Sequence, residues 1–139
     1  MESVDMAGHL IRRLQQHATY IFAQRTQAAG FDLTPVQFAA MNAIHAHPHT
    51  DQARVAEMIA YDRATIGGVI DRLEQKGWVR RVVSERDRRA RELSLTPEGE
   101  RVHAAFLPIV QDLQDDILGA LSATERDFFL KLARQALQL

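Results

Sequence analysis

Between Asp62 and Thr96 the chain changes its hydrophobic period, and that change limits the folds open to it. Ile66, Val69, Ile70 and Leu73 recur at helical spacing, with Asp62 placed to cap the helix Arg63–Lys76 and Gly77 placed to stop it. Trp78-Val79-Arg80-Arg81-Val82-Val83 is then rich in β-branched and aromatic residues, and Arg91-Glu92-Leu93-Ser94-Leu95-Thr96 alternates polar with apolar. Both are strand patterns. Ser84–Ala90 joins them as a short charged hairpin loop. A short helix, a tight connection, a second helix and a two-stranded hairpin together make a winged helix-turn-helix.

The rest of the chain reads as helix. Leu10, Ile11, Leu14, Ala18, Ile21 and Phe22 place one amphipathic helix from about Asp5 to Ala28, ended by Gly30. Thr34-Pro35-Val36-Gln37 starts another: Thr34 caps, Pro35 fits the first position and Gln37 completes a capping box. It runs to about His45 and Pro48 closes it. A short third helix begins near Thr50 or Asp51 and turns Val55, Met58 and Ile59 inward. After the hairpin, Thr96-Pro97-Glu98 opens a long helix with Val102, Phe106, Ile109, Val110, Leu113 and Ile117 apolar and an expected kink at Pro108. Ser122-Ala123-Thr124-Glu125 caps a terminal helix carrying Phe128, Phe129, Leu132, Ala133 and Leu137. The expected fold is mainly α with a small β-hairpin wing: a winged helix-turn-helix at 31–96, and a helical dimerisation region from 1–30 and 97–139. The terminal helices are too long and too apolar for so small a module to cover, which points to a homodimer.

Composition narrows the function classes. With 139 residues, 46% apolar and 25% charged, the chain fits one ordinary globular domain. No apolar run is long enough to cross a bilayer, and the N-terminus lacks a leader pattern, so a cytoplasmic location with no membrane partner is expected. The absence of cysteine excludes disulfides, thiolate metal sites and cysteine redox sensing. No phosphate loop, nucleophile constellation or framed carboxylate pair points to an enzyme, and no cofactor is implied. Net charge is −1, yet six arginines fall between Arg80 and Arg91 against only Glu85 and Asp87. Such a patch suits phosphate even on a neutral chain, although a solvated loop would look the same.

Double-stranded DNA is the partner that this layout fits best. A helix enters the major groove, where polar residues near its N-terminus reach base edges. Arg63 can donate two hydrogen bonds to guanine, and Thr65 offers a methyl to thymine or a hydroxyl to phosphate. Gly67 and Gly68 cost the helix roughly 1 kcal/mol each, tolerable where Ala64 and the glycines let the backbone approach DNA. Close packing against another helix would also explain the glycines. Arg72, Gln37 and Arg54 are further candidate contacts. On the wing, Arg86, Arg88 and Arg89 suit the minor groove, with Asp87 placed to orient a neighbouring arginine. Of Arg80 and Arg81, which alternate, one is expected to face solvent or pair with an acid.

Across nearly its whole length the sequence resembles the MarR family of bacterial regulators. The resemblance is carried by Leu33-Thr34-Pro35-Val36-Gln37-Phe38, by Asp62-Arg63-Ala64-Thr65 through Trp78-Val79, and most specifically by the wing run, in which Asp87, Arg89, Leu95, Thr96 and Gly99 match the family pattern. It implies that the first and last two helices form an obligate dimer interface, that the dimer binds a short palindrome as a repressor, and that a small molecule or oxidant relieves repression.

Without cysteine, a small-molecule effector is the leading idea. His9, Arg13, Gln16, His17 and Tyr20 recur on one face of the first helix, with Arg12 adjacent. Arginine, histidine and tyrosine beside an apolar stripe suit an aromatic carboxylate, and Gly8-His9-Leu10-Ile11-Arg12-Arg13 looks like relatives that respond to aromatic acids. A solvated face or salt bridges across the dimer fit equally well. Two alternatives stay open: a metal-responsive regulator using His45, His47 and His49, whose alternation suits zinc or nickel though a solvated helix end fits better, and a winged helix used only for protein contacts.

Overall fold

The computed structural model describes residues 1–139. A 3-10 turn at Ser3–Asp5 precedes six helices: α1 Ala7–Ala28, α2 Pro35–Ala46, α3 Gln52–Met58, α4 Arg63–Gln75, α5 Pro97–Ile117 and α6 Ala123–Ala136. Three antiparallel strands, β1 Thr50–Asp51, β2 Val79–Val83 and β3 Arg91–Leu95, form a sheet in the order β1-β3-β2. Five of the six helices start where short polar side chains accept their first free N–H groups; α1 begins after Met6 without such a cap. Thr34 accepts from Gln37 N, Asp51 from Arg54 N, Asp62 from Thr65 N, Thr96 from Gly99 N and Ser122 from Glu125 N. Gly77 follows α4 at φ 78°, a conformation that favours glycine.

The hairpin has the expected strands and loop, but β1 was not expected. It is two residues long, too short to show a period, and it is recruited by β3 through Thr50 opposite Leu93 and Asp51 opposite Glu92. The long helix continues through Pro108 as one element. Met58 corrects another expectation: it is exposed, because α3 ends there and only Val55 and Ala56 of that helix are buried.

The core belongs chiefly to residues 33–95. Met41, Ile44, Val55, Ile66, Ile70, Leu73 and Leu93 are completely buried there. Phe106 of α5 joins this core to the terminal helices: Phe22, Phe31 and Phe38 meet its ring at centroid distances of 5.7, 5.0 and 5.5 Å. Beside it, buried His103 stacks on Phe38 and on His45, and its Nε2 lies 3.0 Å from Asn42 Oδ1. Burial, and secondarily the neighbouring His45, push the His103 pKa below the ordinary histidine value.

One close approach explains a motif residue. A Cβ on Gly99 would sit 2.0 Å from the Trp78 carbonyl oxygen. Thr96 draws the same corner together, accepting from Gly99 N at 3.0 Å and donating to Gly77 O at 2.6 Å. The Leu-Thr-x-x-Gly pattern is thus the corner where the wing returns to the end of α4.

The two ends of the chain are tied but not covered. Arg25 of α1 pairs with Asp112 and Asp116 of α5, and Arg126 of α6 with Asp115 at 2.9 Å. Yet α6 has no buried residue. Leu10, Ile11 and Leu14 of α1 and Phe128, Leu130 and Leu132 of α6 remain exposed.

Candidate nucleic-acid interface

α4 turns Ile66, Ile70 and Leu73 into the core and leaves Arg63, Ala64, Thr65, Gly68 and Arg72 exposed. At its start, Asp62 accepts from Thr65 N at 2.7 Å and from Thr65 Oγ1 at 2.9 Å. These bonds hold the Asp62 carboxyl below the usual carboxylate range, the backbone bond contributing most. They also engage the Thr65 hydroxyl, so the methyl is the part of Thr65 left free. Neither glycine is wedged against a helix. A Cβ on Gly67 would make an ordinary contact with Gln52 at 3.5 Å, and one on Gly68 would meet nothing.

The wing loop is knitted by its own polar residues. Ser84 Oγ donates to Glu92 Oε1 at 2.9 Å and accepts from the backbone N–H groups of Arg86 and Asp87 at 3.2 and 3.3 Å. Asp87 does not orient an arginine. Its carboxylate accepts the backbone N–H of Arg89 at 3.0 Å and makes no ion pair, because the turn brings that donor to it first. Arg86, Arg88 and Arg89 are exposed and none pairs with a carboxylate. Of the two strand arginines, Arg80 is exposed, whereas Arg81 pairs with Asp71 and lies 4.0 Å from Glu74, both on α4.

A cleft of about 490 Å³ brings reading helix and wing together: Arg63 of α4, Arg89 and Arg91 of the wing, and Gln52, Arg81, Asp51 and Asp87 all line it. Sequence reasoning did not single out Arg91 or Gln52 for this surface. The signal for Arg91 was its place opening the second strand, at the foot of an arginine-rich loop. Arg86 and Arg88 do not line the cleft, and Arg54 is exposed on α3. Gln37 is not on this surface. It is buried, and its Oε1 accepts from Thr34 N at 3.1 Å, so its side chain is committed to the helix cap.

The candidate effector residues are less gathered. Arg12 lies 3.4 Å from His9, His17 Nε2 is 3.0 Å from Ile117 O, and Tyr20 accepts from Gln24 at 2.8 Å. Arg12 and Arg13 are exposed without a carboxylate partner. None of His9, Arg12, Arg13, His17 and Tyr20 lines the two apolar cavities beside α1. One, of about 590 Å³, lies between Ile11 and Leu14 of α1 and Phe129 and Leu130 of α6. The other, of about 240 Å³, lies between Phe22, Phe38 and Leu113. His45, His47 and His49 do not converge either: no group of three metal-binding side chains is assembled, and His45 turns to Glu100 at 2.8 Å. No helix is long and apolar enough to cross a membrane.

Comparison with known proteins gives a consistent result. Residues 31–90 match the model of the MarR family. The chain is 38% identical over 132 residues to the transcriptional regulator HosA of Escherichia coli, covering 94% of both proteins. It superposes with a TM-score of 0.91 on Bordetella bronchiseptica BpsR, at 27% identity and covering 100% of this chain and 98% of that one; that structure concerns regulation of BpsR DNA binding by 6-hydroxynicotinic acid. It superposes with a TM-score of 0.86 on the transcriptional repressor CouR bound to a 23-mer DNA duplex, at 27% identity and covering 96% and 93%.

Proposed function

The chain belongs to the MarR family of transcriptional regulators, and from that premise we propose that it is a repressor that binds a palindromic operator as a homodimer and is released by a small aromatic acid. Residues 31–96 are the DNA-binding module, and 1–30 with 97–139 form the dimerisation region. The carrying observation is the shared cleft of Arg63 and Arg89, with Arg86 and Arg88 exposed and unpaired on the same wing loop. A reading helix and a wing tip that meet on one surface match a major groove and the minor groove beside it. Arg63 and the Thr65 methyl read bases, with Ala64, Gly67 and Gly68 allowing close approach. Arg54, Arg72, Arg86, Arg88 and Arg89 meet phosphate or the minor groove. A twofold pair spaces the two reading helices about 34–36 Å apart, one turn of duplex.

The effector reading rests on the exposed, unpaired Arg12 and Arg13 beside His9, His17 and Tyr20, and on the effector acid of BpsR. A guanidinium pairs with a carboxylate. The test is selection of duplexes from random DNA, followed by titration of salt and of benzoate and pyridine-carboxylate compounds. Log affinity should fall linearly with log salt, and Arg88→Ala should flatten that slope by about one unit per protomer. An unchanged slope in Arg88→Ala removes the wing assignment. No release by aromatic acids at millimolar concentration removes the effector class.

A further inference from the structure

Arg81 occupies a position where a strand of this sheet would ordinarily carry an apolar side chain. It sits opposite Leu93, which is completely buried, and shares its face of β2 with buried Val79. An inward cation is costly unless it is partnered. The partners come from the reading helix: Arg81 donates to the Asp71 carboxylate and lies 4.0 Å from that of Glu74, one helical turn further on.

The pair is poorly built for stability. The Arg81 side chain is 19% exposed, but its partners are 60% and 47% exposed, and exposed carboxylates contribute little. The Arg81 Nε is buried with no hydrogen-bond partner, which is itself a cost. Geometry is what the pair does fix. A planar guanidinium held by carboxylates on α4 ties β2, and with it the loop Ser84–Ala90, to the helix that carries Arg63. Arg81 also lines the cleft in which Arg63 and Arg89 meet.

We propose that Arg81 is a positioning residue of the DNA interface: it clamps the wing to the reading helix so that the arginines of both meet one duplex in fixed register. This rests on the DNA-binding reading above. The test uses the full chain, a duplex selected with the wild-type protein, and three variants: Arg81→Met, Arg81→Lys and Asp71→Asn with Glu74→Gln. Arg81→Met keeps the wild-type melting temperature, because the acids it releases are already solvated. Its affinity falls about tenfold or more at ~0.15 M salt, and its salt slope shrinks by about two units as both wings lose phosphate contacts. Arg81→Lys recovers part of both. The double variant removes negative charge, which by simple electrostatics strengthens binding; a clamp instead predicts the same loss of slope, and this variant decides the matter if Arg81→Met does not fold. Tighter binding by the double variant with an unchanged slope, or a wild-type slope in Arg81→Met, overturns the inference and leaves the DNA-binding reading intact. A wild-type protein that ignores every duplex at low salt overturns both.

Discussion

The reading module and the terminal helices are built from similar amphipathic helices, yet they end in opposite states. α2, α3 and α4 each bury apolar side chains completely or nearly so against one another and the sheet, while α6 buries none. The openings between elements differ in the same sense. The cleft between wing and α4 is lined mainly by arginines and polar groups, whereas the gap between α1 and α6 is lined mainly by aliphatic and aromatic side chains. One region closes its own core and presents charge. The other presents apolar surface, which in the proposed homodimer a second copy of the chain would cover. An amphipathic period therefore reports that a helix has an apolar face, and says nothing about which chain covers it.

Phe128→Asp with Leu132→Asp attacks that contrast most directly. On the terminal surface these charges should convert a dimer to monomers in sedimentation, and DNA affinity should fall about 10²–10⁴-fold as two-site binding is lost. The far-ultraviolet spectrum of the reading module should survive. A variant that stays dimeric would show that the exposed face of α6 is not the interface, and one that unfolds altogether would show that the two regions are not separable. Gly99→Ala probes the self-sufficient side. Its Cβ would run into the Trp78 backbone, 2.0 Å from the carbonyl oxygen and 3.1 Å from Cα, so overpacking of about 1–3 kcal/mol is expected in denaturant unfolding; a wild-type midpoint would mean that this corner yields freely.

Arg63→Ala sharpens the comparison without touching either core. It should relax preference at one base pair and cost ~1–3 kcal/mol there, read by competition between selected duplexes. Uniform weakening across sequences would reassign Arg63 to phosphate. The smallest effect belongs to the joint between the regions. The His103 pKa is lowered, so the folded protein keeps it neutral while the unfolded chain, near the ordinary 6.5, takes up a proton first. Its contribution is intact above about pH 6.5, declines as pH falls from there through the lowered folded value, and levels off below it. His103→Gln should flatten that part of a melting-temperature profile. An unchanged profile would place the acid sensitivity on another group.

Much of this architecture was legible because local chemistry specifies it. Thr34, Asp62, Thr96 and Ser122 announced helix starts that depend only on residues three positions away. The Leu73-to-Trp78 change of period located the hairpin. Met58 and β1 were misread or missed because burial and a two-residue pairing depend on what lies opposite. In the site, exposed Arg63, Arg86, Arg88 and Arg89 were visible as a charge pattern. Gln37 was misassigned to DNA although its capping role was equally readable, and Asp87 was assigned to an arginine when a backbone N–H lay nearer. Both errors have one origin: a polar side chain has several acceptable partners, and only the turn geometry ranks them.

Taken alone, the amino-acid order settled the six helices, the hairpin, most of the caps and the family to which the chain belongs, since these follow from spacings of a few residues. The folded chain decided which of the arginines stands free. Arg81 is drawn under the sheet to Asp71 and Glu74, while Arg63 and Arg89 share a cleft. Charge acts through space, and distances between residues remote in sequence exist only after folding.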